Sequence, residues 1–196
     1  MKKSAIIWIV VLAAVALLCG TGCSKYNSMV TGLNGVEEAW ANVETQYQRR
    51  ADLIPNLEAT VKGYASHESQ TLQAVTEARA KVGTISLSVD SLNEETLARY
   101  TQAQNQLSGA LKSLLSVSEA YPELKANENF MRFQDELAGT ENRIQTARRD
   151  YNVVAREYNT QIAKFPTNIF ASFFGFDKKP YFRSEEGAAT APKVTF

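Results

Sequence analysis

The chain has 196 residues, in which 21 lysine and arginine residues balance 21 aspartate and glutamate residues. A neutral chain creates no long-range field that would attract nucleic acid or an acidic substrate. Both cysteines, Cys19 and Cys23, lie near the N-terminus, so we expect no disulfide or thiolate metal site in the remainder. Because His67 is the one histidine and no phosphate-binding loop is present, we expect no enzyme activity, cofactor or nucleotide.

The N-terminal segment is expected to hold the chain to a membrane. Two lysines follow the first residue and precede an uncharged apolar run over residues 5–18, as in a signal segment or an anchor. In one interpretation, Cys23 ends a Thr-Gly-Cys lipobox and is the lipid attachment site of a lipoprotein. In the other, residues 5–23 stay as an uncleaved inner-membrane helix, since about 19 residues just span the hydrocarbon core. Both place the remainder outside the cytoplasm.

Apolar residues recur every three or four positions along most of the remaining chain, which predicts amphipathic helices. A long first helix is expected over residues 27–66, with a kink or break at Pro55 because proline lacks the amide hydrogen of a helix interior. A shorter helix follows, and residues 83–92, which have no helical period, are expected to form a linker.

Two more helices follow the linker. The third is expected to start near Asn93, with a capping box of Ser91 and Glu94, and to end at Pro122. The fourth is long and is expected to begin after Asn127, a suitable N-cap residue. Short connections between successive helices favour antiparallel neighbours.

These helices predict an all-α fold: an antiparallel up-and-down bundle of four helices, the first and fourth long, behind an N-terminal membrane segment. We divide the chain into a signal or anchor segment over residues 1–25, the bundle over residues 26–182, and a tail over residues 183–196. The tail is rich in small residues, and we expect it to be disordered.

The apolar pattern is interrupted by polar residues at one height of the predicted bundle. Arg50, Gln104 and Thr140 occupy core positions, and Glu141 is the expected carboxylate partner of Arg50. This buried polar layer either fixes helix register or lines a ligand site. We favour the first interpretation, because ligand pockets in bundles need several convergent polar groups.

An aromatic segment follows the fourth helix. In an antiparallel bundle it returns to the end where the first helix leaves the membrane, and rings flanked by lysine suit the headgroup region. The alternative, favoured by the cost of exposing so many rings, is that they fold into the groove between the first and fourth helices. The candidate membrane-proximal aromatics are Phe170, Phe173, Phe174, Phe176, Tyr181 and Phe182.

The chain resembles the LemA family of bacterial membrane proteins in several motifs. The resemblance covers residues 26–182 and is strongest in RRADLIPNL at residues 49–57, YPELKA at 121–126, TENRI at 140–144 and ARRDYN at 147–152. It implies one N-terminal membrane segment and an up-and-down helical bundle. It implies no catalytic residues, because the family has no established enzymatic function. Some members belong to magnetosome membranes, which makes membrane shaping or scaffolding an alternative function.

We therefore expect a non-enzymatic, membrane-tethered protein of the bacterial cell envelope that acts by contact with another envelope protein or with the membrane. Arg49, Asp52 and Asn56 flank Pro55 and need not all point inward, so they are the candidates for partner contact. The first alternative is a membrane-shaping module that uses residues 169–182. The second is an undescribed enzyme, which the small inventory of catalytic groups disfavours.

Overall fold

The computed structural model describes residues 2–65 and 67–183, and every regular element in those residues is helical. The expected all-α class is therefore confirmed for them. The predicted tail lies outside the described residues, apart from Arg183. The α-helices are α1 (Lys2–Tyr64), α2 (Ser69–Gly83), α3 (Glu94–Ser116), α4 (Pro122–Lys125), α5 (Glu128–Ala163) and α6 (Thr167–Phe174), and a 3₁₀ helix, Val117–Ala120, lies between α3 and α4.

α1 is one continuous helix that begins well before residue 27 and passes through Pro55. The expected break at Pro55 is therefore wrong, and the alternative, a kink there, stays a prediction. The proline is exposed, whereas Ile54 and Leu57 beside it are fully buried. Packing on both sides of the proline holds the helix together where one backbone hydrogen bond is lost. Among the residues described, no helix has both the length and the hydropathy that a membrane span requires.

Asparagine side chains begin both long helices that follow. Asn93 Oδ1 accepts from the Thr96 amide at 2.9 Å, and Thr96 Oγ1 accepts from the Asn93 amide at 2.9 Å. The capping box of α3 therefore consists of Asn93 and Thr96, and the expected pairing of Ser91 with Glu94 is wrong. The expected cap of α5 is confirmed, since Asn127 Oδ1 accepts from the Phe130 amide at 3.0 Å.

α5 packs along α1 and runs in the opposite direction. Near one end, Tyr158 approaches Gly32 so closely that a Cβ atom on the glycine would lie 3.2 Å from its ring. Near the other end, Asn127 Nδ2 donates to the Tyr64 hydroxyl at 2.9 Å. α2 packs against α3.

The buried apolar residues form two clusters, one on either side of Arg50 along α1. The first cluster is centred on Trp40, Tyr100, Ile144 and Tyr151. The second is centred on Ile54, Leu57, Leu107, Leu111 and Phe130. The division coincides with the height at which the apolar pattern of the sequence turns polar.

α6 returns to α1 near the N-terminal segment. Phe170 packs against Gly22, and the rings of Tyr26 and Phe174 meet edge to face with centroids 5.0 Å apart. α6 ends at Gly175, whose φ of 76° is a left-handed conformation that glycine adopts without a steric cost. The chain then runs back along α5 over residues 176–183, a part of the chain that we call the return segment.

Candidate functional site

Arg50 is the centre of a buried polar layer between the two apolar clusters, and only 3% of its surface is exposed. Its guanidinium donates to Ser108 Oγ at 2.6 Å, to Glu141 Oε2 at 3.1 Å and to the side-chain oxygen of Gln104. Its Cζ atom lies 5.2 Å from the centroid of the Tyr47 ring. The structure thus brings together three of the four residues predicted for this layer and adds Ser108, which the apolar pattern did not indicate.

The charge at the centre of this layer is held by acceptors from two other helices. Burial lowers the pKa of the Arg50 guanidinium, and the negative charge of Glu141 opposes that effect. Because arginine is protonated at any physiological pH, the layer carries a permanent positive charge. Arg50 Nε and Gln104 Nε2 are buried and have no hydrogen-bond partner among the described residues. The layer therefore links α1, α3 and α5 through the Arg50 guanidinium, whose Nε donor forms no hydrogen bond to a described residue.

Thr140, the fourth predicted member, is buried but bonds elsewhere. Its hydroxyl donates to the Glu136 carbonyl at 2.7 Å and accepts from Arg143 Nη2 at 2.9 Å. The Glu136 carboxylate accepts from Arg49 and, at 3.3 Å, from Arg143. Arg49 is the main cause of the lowered pKa of Glu136, and Arg143 contributes. A second, exposed ion-pair network thus lies beside the buried one.

The three candidates for partner contact lie on the exposed side of α1. Arg49 is bonded to Glu136 across to α5. Asp52 Oδ1 accepts from Gln48 Nε2 at 2.8 Å within α1. The Asn56 side chain makes no hydrogen bond to any described residue. Two of the three are therefore already engaged within the protein, although all three remain accessible.

The aromatic segment divides into a buried part and an exposed part. Phe182 is 7% exposed, stacks on Trp40 with an interplanar angle of 15°, and meets Tyr151 edge to face. Arg148 covers it at 4.7 Å from its centroid. Phe170 and Phe176 also pack against the first cluster, whereas Phe173, Phe174 and Tyr181 are exposed. Of the six candidates, one is therefore buried, two are partly buried against the core, and three are exposed.

The exposed apolar side chains of this region form a ridge beside the N-terminal segment. Phe165, Ile169 and Phe173 are spaced four residues apart and are 80%, 58% and 82% exposed. We call these three residues the apolar ridge. Phe170, between them, packs on Gly22, next to the free and exposed thiol of Cys23. The ridge and the candidate lipidation site, Cys23, therefore lie at the same end of the molecule.

Two asparagines of α5 hold the return segment, and sequence reasoning missed both. The Asn159 side chain bonds the main-chain carbonyl and amide of Lys179, each at 2.8 Å, and Asn152 does the same for Phe182 at the same distances. The ammonium of Lys179 is buried and donates to the Val89 carbonyl at 2.9 Å. The seven-residue spacing of Asn152 and Asn159, two helical turns, is a signal that could have indicated a shared function.

Titratable groups do not converge on a catalytic arrangement in the residues that the structure describes. No group of three or more His, Cys, Asp or Glu side chains there is placed to hold a metal ion. His67 is exposed in the turn between α1 and α2. Thr140 bonds within α5, and the other buried polar side chains described above form hydrogen bonds that connect helices or hold the return segment.

These features define an all-helical protein organised around a buried arginine layer, with an apolar ridge beside its N-terminal segment. Residues 39–196 match the LemA family, so the chain belongs to that family. This confirms the resemblance carried by the motifs of the sequence.

Individual relatives align along most of the chain. Magnetosome protein MamQ 2 of Paramagnetospirillum magneticum is 28% identical over 97% of this chain and 76% of its own length. Protein LemA of Metamycoplasma hominis is 25% identical over 83% of this chain and 70% of its own length. Magnetosome protein MamQ of Magnetospirillum gryphiswaldense is 27% identical over 94% of this chain and 74% of its own length.

Proposed function

We propose that this protein is a non-enzymatic, membrane-tethered helical bundle of the bacterial cell envelope. In this proposal, its N-terminal segment fastens it to the bilayer, the apolar ridge contacts the bilayer surface, and the remaining helices act by binding another protein. The observation that carries the proposal is the position of the ridge, because α6 packs on Gly22 and exposes Ile169 and Phe173, and Phe165 is exposed just before α6 begins.

Elementary energetics support a membrane surface as the partner of the ridge. Transfer of one phenylalanine or isoleucine side chain out of water contributes about 2 kcal/mol to the free energy of binding. Stable membrane attachment by a lipidated protein generally needs a second signal besides one acyl chain. Three exposed apolar side chains at the same end as Cys23 would supply that second signal, and they would equally support a helix anchor over residues 5–23.

The mode of attachment is tested by the intact mass of the protein purified from its host membrane, with Cys23→Ala measured beside it. A mature species that begins at Cys23 and carries added acyl mass identifies a lipoprotein, and the mutation should abolish that mass. A full-length, unmodified chain identifies residues 5–23 as an anchor. Recovery of an unmodified, shortened chain from the soluble fraction would refute the tether.

The ridge is tested in proteoliposomes that contain brominated lipids, which quench nearby tryptophan fluorescence. Phe173→Trp should be quenched well beyond the wild-type chain. Met131→Trp is the matched control, because Met131 is also exposed, at 44%, but lies at the start of α5. Equal quenching of the two variants would show that the ridge does not contact the bilayer.

Membrane shaping is the second candidate function, and the apolar ridge favours it, since amphipathic surfaces that insert into one leaflet respond to curvature. Two of the relatives described above are named as magnetosome proteins, which also favours this candidate. Electron microscopy of proteoliposomes should show vesicle diameters altered by the wild-type chain and unaltered by Ile169→Ser/Phe173→Ser. Vesicles of unchanged diameter with both proteins would eliminate this function.

The exposed face of Arg49, Asp52 and Asn56 is our proposed site of contact with another envelope protein. Asp52 bonds only to Gln48, one turn earlier on the same helix, so Asp52→Ala should leave thermal stability unchanged. If this face binds the partner, the variant should fail to complement a deletion strain. Loss of stability equal to the loss of function would show that the motif is architectural.

A further inference from the structure

An open groove lies between α3 and α5, and Phe182 and Arg183 of the return segment also contribute to its lining. The groove has a volume of about 900 Å³ and has Arg50 at its base. Its lining residues extend along α5 from Gln134 to Arg156, which at 1.5 Å per residue is about 33 Å. α3 supplies the other wall, from Asn105 to Leu115. A groove of this length suits an elongated ligand rather than a compact one.

The groove is strongly cationic, although the chain as a whole is neutral. Among the described residues, Glu141 is its only lining carboxylate, and it is bonded to Arg50. The cations of its lining are Arg50, Lys112, Arg148, Arg149, Arg156 and Arg183. The described lining therefore carries an excess of positive charge, and charge complementarity selects an acidic ligand.

Three of these cations form no ion pair with any described residue: Lys112, Arg148 and Arg156. Arg149 and Arg183 each pair with an exposed carboxylate, in a setting where ion pairs contribute little. Lys112 lies on α3, whereas Arg148 and Arg156 lie on α5. Both the α3 wall and the α5 wall therefore carry positive charges that form no ion pair with a described residue.

The groove also has apolar surface between the charged residues. Leu111 and Leu115 from α3 and Leu137 from α5 contribute to its lining near one end, and Val153 does so near the other. An amphipathic helix with acidic flanks would complement this lining, because its apolar stripe matches the apolar residues and its flanking charges match the cations. A helix about 10 Å wide, placed between α3 and α5, would pack over α1 as a further member of the bundle.

We propose that this groove binds an acidic amphipathic helix of another protein. The apolar stripe of that helix packs on the leucines of the groove, and its carboxylates bind Lys112, Arg148 and Arg156. The inference extends the proposed function, because it assigns a class of protein partner to a surface separate from both the ridge and the Asp52 face.

The test uses the full chain in a non-ionic detergent and a fluorescent 18-residue peptide as the probe. The peptide places leucines at helical i, i+3, i+4 and i+7 spacing and flanks them with glutamates. Anisotropy should show saturable binding that weakens as salt increases. A peptide of the same composition, scrambled so that its leucines share no face, should bind at least tenfold more weakly. Equal binding of both peptides would overturn the proposal.

Matched variants locate the binding site. Lys112→Glu/Arg156→Glu replaces two exposed cations of the groove and should weaken peptide binding at least tenfold. Arg79→Glu/Arg132→Glu makes the same change in net charge at two exposed arginines outside the groove and should bind as the wild type does. Equal loss in both double variants would indicate non-specific attraction and would refute the site.

Other occupants give distinguishable results, each of which would overturn the proposal. A single-stranded oligonucleotide that binds as tightly as the peptide and is weakened by the same double variant would indicate a nucleic-acid surface. A dimer that dissociates in that variant would indicate a second copy of the chain. Deletion of residues 184–196 that tightens peptide binding tenfold would identify that segment as the occupant.

The peptide-binding test does not depend on whether the ridge contacts the membrane. Ile169→Ser/Phe173→Ser changes the ridge and no lining residue of the groove, so it should bind the peptide normally even if it loses bilayer contact.

Discussion

Asn159 on α5 holds Lys179 by both of its main-chain polar groups. Its Nδ2 donates to the Lys179 carbonyl and its Oδ1 accepts from the Lys179 amide, each at 2.8 Å. Asn152, two helical turns earlier, holds Phe182 in the same manner, and the Tyr151 hydroxyl donates to the Pro180 carbonyl at 3.1 Å. These bonds supply the partners that an extended segment without a neighbouring strand would otherwise lack.

Asn159→Ala should therefore destabilise the protein substantially. The mutation leaves a buried main-chain amide and carbonyl without partners, a cost of about 3 kcal/mol in the free energy of unfolding. Urea denaturation followed by circular dichroism measures this cost. Asn168→Ala, at an exposed asparagine of α6, is the control and should leave the midpoint unchanged. Equal midpoints for the two variants would show that the return segment does not depend on this bond.

Phe182→Ala and Phe173→Ala should separate the two groups of aromatic residues. Phe182 fills the space between Trp40 and Arg148, so its removal leaves a cavity and should cost about 3 kcal/mol. Its loss should also change the fluorescence of Trp40. Phe173 is 82% exposed, and its truncation should leave the stability in detergent unchanged. If Phe182→Ala were as stable as the wild type, the return segment would not contribute to the core.

The sequence predicted the helices and the buried layer to different degrees. The helical periods and the Asn127 cap follow from local patterns, because each depends on residues within a few positions of one another. The polar positions of Arg50 and Gln104 were visible as interruptions of the same pattern. The bonds of Asn152 and Asn159 were not, because their partners lie 30 and 20 residues further along the chain, and only the seven-residue spacing of the two asparagines was visible.

The groove between α3 and α5 also could not be predicted. Helical periodicity shows which face of a helix is buried, but not the distance between two helices that both pack on a third. Lys112 and Arg156 occupy polar positions on their own helices, and only the arrangement of the helices brings them to one groove.

The role of the buried layer can be measured with a double-mutant cycle. Arg50→Met leaves the buried Gln104 side chain without its partner, so the variant should lose about 3 kcal/mol of stability. Adding Gln104→Leu should cost less in this background than in the wild type, because the unpartnered amide is removed, and a coupling of at least about 1 kcal/mol is expected. Arg49→Met is the control on the exposed face and should change the urea midpoint little. Full additivity of the two core mutations would contradict the bond between them.

Buried tyrosines should make the protein sensitive to alkaline pH. Burial raises the pKa of Tyr100 from 10.0 to about 12, and the neighbouring Gln104 side chain partly opposes this. Because the folded state then binds its proton more tightly than the unfolded state, the stabilisation is complete below pH 10 and is lost as the pH rises towards 12. The stability lost per pH unit for one such group is about 1.4 kcal/mol.

Tyr100→Phe should flatten the decline in urea stability between pH 10 and pH 12. Tyr158→Phe should do the same, since burial also raises the pKa of Tyr158 to about 12. Phenolate absorbance of the folded protein measures the titration directly, and an unchanged slope in both variants would show that these rings ionise equally in the folded and unfolded chains.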